Sequence, residues 1–124
     1  MNGKRVLLVD EEKTILDTYS FLLNKEGYSV VSVNSGRKAL EEFSKHLFDL
    51  VITDFAIKNE NGHTLLEEIK TTFPITPVIV LTDNTSEIVK RFAYLLGACV
   101  LVEKPCVYEN LISYIRILLT ERKC

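Results

Sequence analysis

The predicted fold is α/β: a parallel sheet of five strands, in order 2-1-3-4-5, doubly wound by five helices. Three observations predict it. Short apolar runs rich in Val, Ile and Leu alternate five times with segments of helical period. The runs lack the in–out alternation of a half-exposed strand, so they read as strands buried on both faces. The chain has 124 residues, enough for one domain with a real core.

The elements follow in order. VLLVDEE (Val6–Glu12) is the first strand and its acidic end. A helix over about Lys13–Glu26 carries Ile15, Leu16, Tyr19, Leu22 and Leu23 on one stripe. Gly27 reads as its stop. Ser29–Val33 is the second strand. The second helix covers Gly36–His46, capped by Asn34 or Ser35, with Ala39, Leu40, Phe43 and Leu47 inward. DLVITD (Asp49–Asp54) is the third strand, with Asp49 as a turn residue before it. A polar loop leads to a helix from about His63 to Phe73, with Leu65, Leu66, Ile69 and Phe73 inward. Pro74 and Pro77 punctuate the entry to PVIVLT (Pro77–Thr82). Ser86–Leu96 is the fourth helix, with Ile88, Val89, Phe92, Leu95 and Leu96 as its stripe and Gly97 as its stop. CVLVEKP (Cys99–Pro105) is the fifth strand and its exit. Val107–Glu121 closes the chain, with Leu111, Ile112, Ile115, Leu118 and Leu119 inward.

Strand–helix alternation implies right-handed crossovers. In the 2-1-3-4-5 order the switch point lies between strands 1 and 3, beyond whose carboxyl ends a site forms. Those strands end in Asp10 and Asp54.

Composition is ordinary for a globular domain, at 47% apolar and 26% charged. A net charge of −2 gives no case for nucleic acid or an anionic membrane. No run is long enough to span a membrane, and no leader pattern opens the chain. Cys99, Cys106 and Cys124 lack zinc spacing and read as three reduced thiols. His46 and His63 have no partner spacing for a metal or a triad, and Met1 reads as a native start.

Asp10, Glu11 and Asp54 at one sheet edge repel each other unless something positive intervenes. Oxygen-only ligands suit Mg²⁺. Lys104 adds an ammonium and Thr82 a hydroxyl. Such a set suits an incoming phosphoryl group: metal and Lys104 neutralise its oxygens, Thr82 donates to one, and Asp54 is the nucleophile. Glu12 reads as a solvated residue whose charge suits the first turn of a helix.

With Asp10–Glu11, Asp54, Gly62, Thr82 and Lys104–Pro105 in this order, the chain resembles a response-regulator receiver domain of two-component signalling over essentially its whole length. The resemblance implies a flavodoxin-like (βα)5 fold and a cytoplasmic signalling switch. It implies phosphoryl transfer to Asp54 from a sensor histidine kinase or phosphotransfer protein, as in a phosphorelay. It implies Mg²⁺ held by Asp10, Asp54 and the backbone carbonyl of Ala56, with Glu11 acting through water. Thr82 and Lys104 join Asp54 as catalytic groups, and the Lys104–Pro105 bond is expected to be cis. Such a domain is no conventional enzyme; it catalyses its own Asp phosphorylation and dephosphorylation. Its output passes to a downstream protein or output domain, without direct nucleic-acid contact by this domain. Tyr94, Tyr114 and Ile117 widen the apolar faces of helices 4 and 5, and the resemblance implies a partner or homodimer surface there.

The chain departs from the family pattern at Ile57 and Lys58, where Met and Pro are usual. Asp83 replaces a small residue after Thr82, and Leu101 replaces an aromatic. Asp83 and Leu101 bear on switching, and Ala56 and Asn84 sit where the family tunes dephosphorylation. A pseudo-receiver that binds partners without cycling phosphate is the alternative. A nucleotide-binding enzyme ranks last, since no glycine-rich loop follows strand 1. The chain reads as a single domain, residues 1–124, standing alone or opening a longer protein.

Overall fold

Five parallel strands pair in the order β2-β1-β3-β4-β5. They are β1 (Arg5–Val9), β2 (Ser29–Val33), β3 (Leu50–Asp54), β4 (Val78–Thr82) and β5 (Val100–Glu103). The helices are α1 (Lys13–Lys25), α2 (Gly36–Phe43), α3 (Leu65–Thr72), α4 (Glu87–Leu95) and α5 (Tyr108–Glu121). This computed structural model describes residues 3–121. Met1 and Cys124 lie outside the described residues.

Alternation along each strand sorts the core into two layers. Leu7, Val9, Val51, Val78 and Val80 pack with Ala39, Phe43, Leu65, Leu66, Ile69 and Ala93, under α2, α3 and α4. Val6, Leu8, Leu50, Ile52, Ile79 and Leu81 pack with Leu23, Leu111, Ile112, Ile115 and Leu118, under α1 and α5. Strands covered on both faces explain the unbroken apolar runs.

Local chemistry sets the helix ends. Ser35, Thr64 and Ser86 cap α2, α3 and α4, each side chain accepting from the backbone N–H three residues on. Gly27 follows α1 with φ +96°, a conformation that costs glycine little. At Gly97 (φ +113°) the Lys70 side chain lies where a Cβ would stand, 2.7 Å away. Lys70 Nζ then donates to the carbonyls of Pro74 and Thr76, closing the α3–β4 connection.

Three expectations are corrected. The inward face of α4 is Val89, Ala93 and Leu96, with only Ala93 fully buried, while Ile88, Phe92 and Leu95 point out. Small Ala93 lets the helix approach the sheet, so it takes the central contact. Leu47 is 85% exposed, because α2 ends at Phe43 and the chain turns away. Phe48 fills the core instead, against the Phe43 ring. Cys99 is disulfide-bonded rather than a reduced thiol. It sits half-buried just before β5, packed against the layer under α1 and α5. Cys106 is a free thiol, and burial pushes its pKa up.

Candidate functional site

The carboxyl ends of β1, β3 and β5 bring four charged side chains together. Asp10 follows β1 and is fully buried. Its Oδ1 accepts from the backbone N–H of Glu12 at 2.9 Å, a tight local turn. That bond fixes the carboxylate and leaves Oδ2 facing the site. Asp54 ends β3; its Oδ1 accepts from the N–H of Ala56 at 2.8 Å, and its Oδ2 accepts from Lys104 Nζ at 2.6 Å.

Lys104 leaves β5 with its backbone N–H on the carbonyl of Thr82 at 2.8 Å. The following Lys104–Pro105 peptide bond is cis. Its ammonium meets three carboxylates: Asp54 at 2.6 Å, Glu12 at 2.8 Å and Asp10 at 3.0 Å. The Asp10 contact is an ion pair by distance, yet Oδ2 has no hydrogen bond, so the ammonium meets it off-axis. Burial alone would lower the pKa of Lys104, but the hydrogen bonds it donates to Asp54 and Glu12, with the negative charge of Asp10 beside it, outweigh burial and hold the group firmly protonated.

The oxygens of Asp10, Glu12 and Asp54 lie within 4.8 Å of one another. One ammonium leaves this trio two negative charges in excess. Asp10 Oδ2, buried and without a hydrogen bond, is the atom best placed to take a cation. Hard carboxylate oxygens fit Mg²⁺, which takes one or two carboxylates and completes its shell with water.

Glu12 is solvent-exposed at the head of α1, as the sequence predicts, and its contact with the site is the feature that sequence reasoning missed. It is the N-cap of α1, but its side chain makes no capping bond; it reaches Lys104 instead. The signal was three successive acids at a strand end, where a turn closed by Asp10 carries the residue two further on back over the site. Glu11 is exposed and stands outside the trio.

Thr82 ends β4, buried, beside β3 in the sheet. Its hydroxyl donates to the Asn84 carbonyl at 3.2 Å and accepts from the Asn84 N–H at 3.0 Å. Asn84 Oδ1 accepts from Ser86 N–H, so residues 82–86 form one bonded turn. Asp83 and Ala56 are exposed, Ile57 is buried, and Lys58 bridges to Thr64. Leu101 is half-buried on β5, while Tyr94, Tyr114 and Ile117 are exposed on α4 and α5. The histidines stand apart, His46 beside Glu42 and His63 beside Glu67.

Known proteins resemble this chain in sequence and fold. The chain is 35% identical over 114 residues to the sensory transduction protein RegX3 of Mycolicibacterium smegmatis, covering 92% of this chain and 50% of that one. It is 33% identical over 110 residues to the alginate biosynthesis transcriptional regulatory protein AlgB of Pseudomonas syringae, covering 89% and 25%. The chain thus spans half or less of the length of these relatives. Among solved structures, a CheY-like response regulator receiver domain protein from Methanospirillum hungatei superposes with a TM-score of 0.88 at 27% identity, covering 97% of this chain and 96% of that one. Chemotaxis protein CheY4 of Vibrio cholerae superposes with a TM-score of 0.84 at 28% identity, covering 92% and 97%. The profile described as response regulator receiver domain matches residues 6–116, and the chain belongs to that family.

Proposed function

We propose that this chain is a phosphorylation-dependent signalling switch that accepts a phosphoryl group on Asp54 from a histidine kinase or phosphotransfer protein. One observation carries the reading: Asp54 Oδ2 lies 2.6 Å from the Lys104 ammonium, beside buried Asp10 with its unbonded Oδ2. An Asp54 oxygen attacks phosphorus and forms the O–P bond. The P–N bond to the donor imidazole breaks, its electron pair leaves with the ring nitrogen, and that nitrogen takes up a proton. Mg²⁺ held by Asp10, Asp54 and the Ala56 carbonyl, with Glu11 acting through water, would supply positive charge to the phosphoryl oxygens. Lys104 shares that task from the other strand end. Hydrolysis by water returns inorganic phosphate and the Asp54 carboxylate.

Thr82 supplies the response. For its hydroxyl to donate to a phosphoryl oxygen, it must release the Asn84 carbonyl. That exchange moves the 83–86 turn at the head of α4. Ile88, Phe92 and Leu95 on α4, with Tyr114 and Ile117 on α5, form an exposed apolar face beside β5. This face suits a downstream protein, an output domain or a second copy of the chain.

The test is incubation with Mg²⁺ and acetyl phosphate or phosphoramidate, read by intact mass. A gain of one phosphoryl group that needs both Asp54 and Mg²⁺ supports the reading, with Asp54→Ala and a chelator as controls. No gain from either donor, in folded protein, selects the pseudo-receiver, to which Asp83 and Leu101 lend weight.

A further inference from the structure

We propose that Glu12 is the anion that keeps Lys104 in place when Asp10 and Asp54 turn to a divalent cation, which makes it a positioning residue for phosphoryl transfer. The inference rests on the reading of Asp54 as acceptor and deepens it.

The three carboxylates around Lys104 differ in freedom. Asp10 is fully buried and pinned through Oδ1 by the Glu12 N–H. Asp54 is pinned through Oδ1 by the Ala56 N–H. Neither can follow the ammonium if it moves. Glu12 is 63% exposed along its side chain, makes no capping bond, and has a flexible stem. It alone of the three can track Lys104.

Lys104 needs such a partner. Its side chain is only 10% exposed, so water replaces a lost carboxylate poorly. A cation seated on Asp10 and Asp54 competes for the oxygens the ammonium now uses. An ammonium stripped of both would swing out to solvent, away from the acceptor oxygen. Glu12 Oε2, at 2.8 Å, holds it at the mouth with two donors free for a phosphoryl group. An exposed ion pair adds little stability, so the effect of Glu12 falls on geometry and rate.

The experiment uses the full chain labelled with ¹⁵N, in wild-type and Glu12→Gln forms. Lysine Nζ–H correlations are recorded cold and mildly acidic, without and with Mg²⁺, and Lys104→Arg assigns the Lys104 signal. Both proteins should show a protected Lys104 signal without Mg²⁺, since Asp10 and Asp54 suffice there. With Mg²⁺ the wild type should keep the signal and Glu12→Gln should lose it. Phosphoryl uptake at saturating Mg²⁺ should fall about fivefold in Glu12→Gln, the size expected for one lost orienting ion pair. A Lys104 signal that survives Mg²⁺ in Glu12→Gln, or uptake at saturating Mg²⁺ equal to wild type, overturns the proposal. If the wild type takes up no phosphoryl group, the acceptor reading fails instead, and the lysine signals alone decide the role of Glu12.

Discussion

The phenol oxygen of Tyr94 accepts a hydrogen bond from the backbone N–H of Leu101 at 3.2 Å. β5 is an edge strand, and an edge leaves amides without a ladder partner. Tyr94 supplies one from α4, and so ties that helix to the strand beside it. The family usually carries an aromatic at the Leu101 position. Here the ring lies on the helix and touches the strand through its hydroxyl.

Tyr94→Phe keeps the ring and removes the acceptor. Amide exchange at Leu101 should quicken, while global stability should change by less than about 1 kcal/mol, because water can reach the freed group. An unchanged Leu101 rate would mean solvent already serves that amide. The same bond bears on activation. With no ring to turn on β5, phosphorylation should shift resonances of residues 83–86 more than those of β5. Large shifts confined to β5 and α5 would refute this.

Lys104→Met strips three carboxylates of their common partner, one of them fully buried. In chelator, the variant should lose about 3 kcal/mol of stability, the low end of the cost of removing one side of a buried pair. Mg²⁺ should then raise its melting temperature more than that of the wild type, since the cation meets uncompensated charge. Equal melting temperatures in chelator would show that the ammonium does not stabilise the trio.

These contacts show what was legible in the sequence. Strand order, the two-layered core and the meeting of Asp10, Asp54 and Lys104 all follow from apolar runs and the polar residues that end them. The rotation of α4 was not legible. Ile88, Phe92 and Leu95 repeat with the same period as Val89, Ala93 and Leu96, and periodicity cannot choose between two apolar stripes. Packing chose the stripe with alanine because it permits closer approach. Glu12 is exposed at the head of α1 as the sequence predicts, but its ion pair was not legible, because helix-dipole reasoning sees only its own helix and its partner Lys104 is 92 residues away. The disulfide at Cys99 had no signal, since three cysteines without spacing point to no pairing.

Tyr108 gives a prediction in pH. Burial first, and the nearby Glu26 charge second, push its phenol up to about 12, while Arg116 opposes them. Its hydroxyl donates to the Leu22 carbonyl at 3.2 Å, a bond only the neutral form can make. The folded state therefore holds this proton more tightly than the unfolded chain. The resulting stability is fully present below the ordinary tyrosine value of 10.0 and is lost as pH rises through about 12. Spectrophotometric titration should show a phenol ionising near 12 that disappears in Tyr108→Phe. A titration curve that the substitution leaves unchanged above pH 11 would contradict the assignment.

Leu95 is 83% exposed, the most exposed large apolar residue of α4. If the α4–β5–α5 face joins two copies, Leu95→Glu should abolish self-association of the phosphorylated protein and leave phosphoryl uptake intact. Sedimentation of both forms, with and without phosphodonor, measures this. Association that persists in the variant would move the contact to another face.

Asp83 is exposed and directly follows Thr82, on the edge where a donor must approach. Its carboxylate repels an anion arriving there, and water and salt screen that repulsion without abolishing it. Asp83→Ala should therefore speed phosphorylation by acetyl phosphate about two- to threefold at low ionic strength, with the gain shrinking as salt is added. Phosphoramidate carries less net negative charge, so its rate should rise less. The contrast between donors separates charge from shape: a change in the Thr82 turn would alter both rates alike and would not depend on salt. Equal rates for Asp83→Ala and wild type with acetyl phosphate would remove Asp83 from any role in donor access.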